Sequence, residues 1–474
     1  MPLQPSARRH IGEESRFTIY LYDMQRSDTM NYSFKSKLKM YINSSVVLIF
    51  FTVVALVCAN APVVKDWYAA LWTQEVSLAV GDFNFFSHHG HAITLGQMIN
   101  DFLMAIFFLS VGLEIKREIM VGELSSREKA LLPVIGAIGG MLLPVLVFYL
   151  ACPGDAAMQR GLAIPMATDI AFSLGILSVF KMRVPIGLKM FLAALAVADD
   201  LGGILVIALF YSSDINLLYL GLSALCVVAM VIGNIKNVSA KLFYVSIGLV
   251  LWFFMLNSGI HATIAGVIVA FCIPGTLKKS TGYYIERIRS NVNRFPVIEV
   301  GQRHKTIVLS NDQIHMLKSI ESAADHMISP LQEMEDRLHT PINYVVLPLF
   351  AFANAGVCLA GMSVGDVFSG VSLAVMLGLV IGKFLGVFSF SWLAVRMGIV
   401  ALPTGATWKS FASVCVVCGI GFTVSMFIAE LSYAGLGASA AALLPQAKLG
   451  VLCGSIISAI LGCILLNRTL PRKR

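Results

Sequence analysis

The chain has 474 residues, of which 57% are hydrophobic and only 13% charged, and its net charge is +8. Soluble domains carry about a quarter charged residues, so an ordinary soluble domain is excluded. Long unbroken apolar runs, in place of alternating segments of about ten residues, exclude a transmembrane barrel. The expected fold is therefore an all-α polytopic membrane protein, with its basic excess held in loops as a topology signal and not as a nucleic-acid surface. Nine cysteines, an odd count lying mostly within apolar runs, argue against a disulfide framework. Cys415 and Cys418 form a CxxC with no second pair and read as small buried hydrophobes. No cofactor is expected.

Residues 1–40 are polar and basic and read as a disordered tail, in which Met30 offers a second start. About twelve apolar segments follow, near 44–61, 99–119, 131–152, 161–180, 188–212, 217–235, 241–259, 260–274, 342–359, 371–395, 408–431 and 446–467. Most approach the roughly twenty residues that a span needs; the eighth is short, and the ninth carries Pro348 and Asn354. Residues 41–274 thus hold spans one to eight, and 342–467 hold spans nine to twelve. The first external loop alternates with period two around Gly81-Asp82 and reads as a small hairpin at about 74–92.

The loop 275–341 is far longer than the others. Within it Ile314, Leu317, Ile320, Ala324, Ile328, Leu331, Met334 and Leu338 follow helical spacing, opened by Ser310-Asn311-Asp312 as cap candidates. Pro330 is expected to kink or split this amphipathic helix, which belongs on the cytoplasmic face. Arg127, Lys129, Lys181, Arg183, Lys236, Lys241, Arg396, Lys409 and the basic tail 468–474 fall on one side of the membrane. The other side has little beyond Lys65 and Arg160. That alternation requires an even number of spans and puts both termini in the cytoplasm.

The fifth span carries Asp199 and Asp200 side by side at its centre. A charge at mid-depth costs roughly 2.5–3.5 kcal/mol on insertion scales, so intramembrane ionisable groups point to function. Asp169 in the fourth span and Lys383 in the tenth lie at the same expected depth. Pro165 interrupts the fourth span, and Gly419 with Gly421 interrupts the eleventh. Broken helices persist only where protein or water satisfies the freed backbone. Spans seven apart cross in opposite directions, the pattern of inverted repeats. Lys383 lies in Gly378-x3-Gly382-x3-Gly386, a spacing for close helix approach. Its natural partners are a carboxylate and the negative ends of half-helices, while Asp169 suits their positive ends.

Loss of water disfavours a carboxylate's charge, and a neighbouring like charge disfavours it again. An adjacent pair can therefore hold either protons or an oxygen-preferring cation such as Na⁺. Exclusive occupancy is the requirement for exchange. Two protons traded for one Na⁺ would move one charge, carrying roughly 2.3 kcal/mol at 100 mV. A second cluster, Glu114, Lys116, Arg117 and Glu118, ends the second span, and Glu335 and His339 precede the ninth on the same side. These are either helix-end salt bridges or a proton-sensing funnel. His261 lies near the outer end of the seventh and eighth spans, and Asp101 reads first as a helix-entry residue.

The strings VGLEIKRE, AIPMATDIAF, LAVADDLGGI, SGIHATIAGVIV, LPLFAFANAG, LVIGKFLG and CGIGFTVSMFIA run through most spans. With these the chain resembles the NhaA family of bacterial Na⁺/H⁺ antiporters, an inverted-repeat fold. The resemblance implies Asp200 as the principal cation-binding carboxylate with Asp199 as its partner. It places Thr168 and Asp169 at the crossing of broken spans four and eleven, and implies that Lys383 answers Asp169 and pairs with Asp199. It implies Glu114, Arg117, Glu118 and Glu335 as pH-response residues, to which His261 is added as a candidate. It further implies Na⁺, Li⁺ and H⁺ as substrates, a lipid environment in the bacterial inner membrane, and a homodimer through the first external loop. The long loop before the ninth span and the extended N-terminal tail depart from the family pattern.

Two other classes compete. An intramembrane aspartyl protease would show a GxGD motif, but Ala79 and Ser363 stand two residues before Gly81-Asp82 and Gly365-Asp366. A sodium-coupled symporter would need an organic-substrate site.

Overall fold

The structure, a computed structural model, describes residues 44–471 apart from 78, 81–82, 85–86, 89–90, 154–155, 181–182, 211–214, 278, 296–308, 360–363, 434–435 and 437–441. The tail 1–40, the turn residues Gly81 and Asp82 and the last three residues lie outside the described set.

Helix α1 (Ser44–Asn60) turns through 108° into α2 (Lys65–Thr73), because Pro62 cannot continue a helix. After the external strands come α3 (Leu95–Val121), α4 (Arg127–Ala151), α5 (Ala156–Met166), α6 (Ile170–Val179), α7 (Ile186–Phe210), α8 (Leu217–Ile235), α9 (Lys241–Leu256) and α10 (Ile264–Cys272). The long loop folds as α11 (Thr281–Arg294), α12 (Asn311–Asp325) and α13 (Pro330–Pro341). Then follow α14 (Leu347–Asn354), α15 (Val364–Val367), α16 (Gly370–Arg396), α17 (Trp408–Val417), α18 (Phe422–Tyr433) and α19 (Leu443–Thr469).

Among the described residues, six of these helices are long and apolar enough to cross a membrane singly: α3, α4, α7, α8, α16 and α19. Three bent pairs, α1–α2, α5–α6 and α17–α18, meet the same test jointly. Helices α9, α10 and α14 are shorter. Large side chains such as Phe50, Leu142, Leu209, Leu217 and Ile456 face outward, as expected where lipid is the solvent. The chain is a multi-pass membrane protein.

Glycines set the packing around the site. A Cβ on Gly386 of α16 would strike the backbone of Gly139 on α4, and one on Gly382 would meet Pro144. Gly136 faces Ser391 and Gly140 faces Val387 and Lys383. Contacts that run 136 to 391 and 144 to 382 make α4 and α16 antiparallel. The glycine stripe expected on the tenth span is thus matched by one on the third. By contrast Gly266 faces Ala105, and Gly112 faces Ala270, so α3 and α10 run parallel.

The segment between α2 and α3 is more than the single hairpin expected at 74–92. β1 (Glu75–Val76) and β4 (Ser87–His88) flank β5 (His91–Thr94), while β2 (Ala79–Val80) pairs with β3 (Phe83–Asn84) as a smaller hairpin. The run is long enough for the chain to return twice, so one hairpin nests within the other.

The long loop also holds more helix than its apolar spacing announced. Ser310 forms a capping box with Gln313 at the start of α12, and Ser329 caps α13 with Pro330 in its first turn. Pro330 starts a second helix, since its missing N–H is spare there. Helix α11 is short and mostly polar, and of its apolar side chains Tyr284 is buried while Tyr283, Ile285 and Val292 are exposed.

Candidate functional site

Two of the three bent pairs, α5–α6 and α17–α18, meet at their breaks. Each bends by 42°, α5–α6 across residues 167–169 and α17–α18 across 418–421. A break leaves carbonyls unpaired at one half-helix end and N–H groups at the other. In this chain each pair supplies what the other lacks. The Asp169 amide donates to Ile420 O at 2.7 Å, and Thr168 Oγ1 donates to Cys418 O at 3.0 Å. Ser425 Oγ donates to Ile164 O at 2.8 Å.

Asp169 serves both half-helix starts. Its Oδ1 accepts the Phe172 amide at 2.9 Å, as N-cap of α6. Its Oδ2 accepts the Thr423 amide at 3.1 Å and Thr423 Oγ1 at 2.6 Å, in the first turn of α18. A carboxylate between two helix N-termini offsets both positive dipole ends. Thr423 and Ser425 were missed by the sequence reading. Their signal is hydroxyl residues directly after a glycine break, where freed backbone needs partners.

Lys383 follows a widened π turn at Gly378–Gly382 in α16 and is fully buried, at 0% exposure. Its Nζ donates to Asp199 Oδ2 at 2.6 Å and also to Met166 O, the last carbonyl of α5. Thr168 Oγ1 lies 2.9 Å from the same Asp199 oxygen. The lysine therefore closes a negative half-helix end and pairs with one aspartate.

Asp200 is treated differently by the fold. Both of its carboxylate oxygens are buried without a hydrogen-bond partner, as is Oδ1 of Asp199. Successive helix residues point about 100° apart, so only Asp199 reaches Lys383. The buried set of Asp169, Asp199, Asp200 and Lys383 has three acids against one base. That excess of negative charge, with three unpartnered oxygens, suits a cation or protons.

At the opposite, α13 side, Arg117 Nε donates to both oxygens of Glu335, at 2.8 and 2.9 Å, and Arg117 Nη1 lies 3.0 Å from Glu118. Glu114 is one turn back along α3. Glu335 thus reaches Arg117 from beyond the long loop. Lys116 donates to Phe271 O and Ile273 O, and Asn234 Nδ2 donates to Cys272 O at 2.7 Å. Together they close the C-terminal end of the short helix α10. His261 does not join this cluster. It precedes α10, and because α10 parallels α3, it lies at the far end from Arg117, the end to which the sequence assigned it.

Long apolar helices around a buried set of ionisable groups, with two bent helix pairs meeting beside it, are the features of a multi-pass membrane transporter. Sequence comparison narrows the class. The profile of the family described as Na⁺/H⁺ antiporter 1 matches residues 35–466, and the chain belongs to that family. It is 50% identical over 444 residues to the Na(+)/H(+) antiporter NhaA of Phocaeicola vulgatus, covering 94% of this chain and 97% of that one. It is 51% identical over 442 residues to the protein of the same name from Bacteroides fragilis, covering 93% and 99%. A Shewanella loihica relative of that name is 42% identical over 421 residues, covering 89% and 93%.

Proposed function

We propose that this protein is an electrogenic antiporter that exports Na⁺, and Li⁺, in exchange for protons, and so regulates cytoplasmic pH and sodium. The observation that carries the reading is the Asp200 carboxylate, buried with neither oxygen partnered, beside the Asp199–Lys383 pair. Membership of an antiporter family and the names of the relatives support the same exchange.

Asp200 is the primary ligand of the transported ion, with Asp199 Oδ1 as the second oxygen. Na⁺ as a hard cation takes oxygen ligands, and the Thr168 hydroxyl and backbone carbonyls at the breaks offer further oxygens. When protons arrive, the two acids no longer need the cation. Lys383 and Asp169 hold the crossing while occupancy changes.

The architecture we infer has twelve spans. The six long helices, the three bent pairs, and the shorter α9, α10 and α14 supply them. The antiparallel pairing of α4 with α16, spans seven apart, and the parallel pairing of α3 with α10, spans six apart, support that count. Spans three to five and ten to twelve form the inverted repeats, with four and eleven broken. Both termini lie in the cytoplasm, the membrane is the bacterial inner membrane, and the strand-bearing external loop joins two copies. Arg117, Glu118, Glu335 and Glu114 form the cytoplasmic pH-response cluster.

The test is the fluorescence of a pH dye in everted vesicles as Na⁺, Li⁺ and K⁺ are added in turn between pH 6 and 9. Proton movement is expected with Na⁺ and Li⁺. Release of protons on Na⁺ binding to purified protein is the second requirement, and its absence refutes exclusive occupancy.

A further inference from the structure

We propose that Lys241 and Glu333 form a latch that seats helix α13 against the membrane helices and thereby positions Glu335 on Arg117. The transport part of this inference rests on the antiport reading; the structural part does not. Helix α13 is fastened at three places. The Leu331 amide donates to Pro274 O at 3.3 Å, just after α10. Glu335 holds Arg117 of α3 in a two-pronged contact. Glu333 pairs with Lys241, the first residue of α9, and with Arg337 at 2.8 Å on its own helix.

Residues two apart on a helix point about 200° apart. Glu333 and Glu335 therefore reach to opposite flanks, one toward α9 and the other toward α3. Lys241 stands at a helix N-terminus, where a cation opposes the dipole, so a facing carboxylate answers an otherwise unfavourable position. That hydrogen bond holds the Glu333 carboxyl below its usual range. Helix α13 runs on through the π turn Ile342–Val346 into α14. Any tilt at the latch is carried into the membrane.

The latch sits where the inserted helices meet the membrane helices. A cavity of about 290 Å³ opens there, lined by Lys241, Glu333, Arg337, Asp325, His326 and Tyr284. Asp325 and His326 come from the end of α12, and Tyr284 from α11. Around Glu335 stand Arg117 and Glu118, with Glu114 a turn deeper. The Lys241 and Glu333 side chains are 30% and 20% exposed, so water weakens the pair without erasing it. The seated arrangement sets the Glu335 carboxylate against the Arg117 guanidinium. A weaker latch leaves that contact broken more often.

The test uses full-length protein with Lys241→Met, Glu333→Gln, the double variant and Lys241→Arg. In either single loss, amide hydrogen exchange within residues 330–341 is expected to rise several-fold. The pH profile of Na⁺-driven exchange is expected to shift in each single variant, because Arg117 and Glu335 belong to the proposed pH-response cluster. Lys241→Arg keeps both readouts, and the double variant moves no further than a single one. Unchanged amide exchange and pH profile in both single variants, or shifts that add in the double, overturn the latch. If wild-type vesicles show no Na⁺-driven proton movement at any pH, the antiport reading fails, and amide exchange still decides the latch.

Discussion

Replacing Asp169 tests how the broken helices are held. Its carboxylate accepts three donors: the Phe172 amide, the Thr423 amide and the Thr423 hydroxyl. Asp169→Ala leaves all three in a buried site, at about 1–3 kcal/mol for each unsatisfied donor. Water entry and hydroxyl rotation recover part of this, so the expected loss is about 3 kcal/mol. Asp169→Asn retains one accepting oxygen for Phe172 but turns an amide donor toward the Thr423 N–H, and roughly half that loss is expected. Neutral hydrogen bonds between membrane helices average only about 0.6 kcal/mol. The larger figure depends on the charge and on one side chain closing two helix starts. Reversible unfolding of the purified protein in mixed micelles measures the difference. A cost for Asp169→Ala of no more than a single neutral bond refutes the claim that this residue holds the crossing.

The two adjacent acids should separate in the same assay. Asp200→Asn is expected to abolish Na⁺-driven proton movement in vesicles while keeping or raising stability, because an unpartnered buried carboxylate is costly. Asp199→Asn strands the buried Lys383 ammonium and is expected to cost about 3–5 kcal/mol; equal stability losses in the two variants would contradict the pairing. Gly386→Ala drives a methyl into the Gly139 backbone and should unseat α4 from α16, whereas Gly203→Ala meets nothing within 4 Å. The second is expected to be neutral or stabilising by up to about 1 kcal/mol, so melting curves that rank the two in reverse would refute the packing argument.

The site was legible where physics makes a residue expensive. Asp169, Asp199, Asp200 and Lys383 stand out because charge within apolar sequence needs a reason, and Pro165, Gly419 and Gly421 because they interrupt helices that lipid cannot repair. What those breaks bond to was less visible. Thr423 and Ser425 are ordinary residues in an apolar run until a second broken helix is laid across them. Which aspartate the lysine takes depends on a rotation of about 100° around α7, which tertiary packing alone decides; the family resemblance, not periodicity, pointed to Asp199. Helix α11 was missed although Tyr284, Ile285, Ile288 and Val292 recur at helical spacing, because the segment is short and mostly polar.

The different treatment of Asp199 and Asp200 also explains how, on the proposed reading, exchange avoids a leak. An exchanger fails if its empty, charged site can cross between the two sides. A carboxylate buried with no donor is costly enough to make that state rare, and at Asp200 the protein supplies no donor among the described residues. Asp199, by contrast, keeps its place through Lys383 and Thr168. Asp199 is thus held in position with one oxygen still open to the ion, while its neighbour must carry a proton or a cation to be tolerated. A donor introduced beside Asp200 should relax that requirement. Any variant that gives Asp200 an internal partner is therefore expected to lose tight coupling before it loses stability, seen as a fall in Na⁺ moved per proton in vesicles. Retained coupling with a partnered Asp200 would refute the argument.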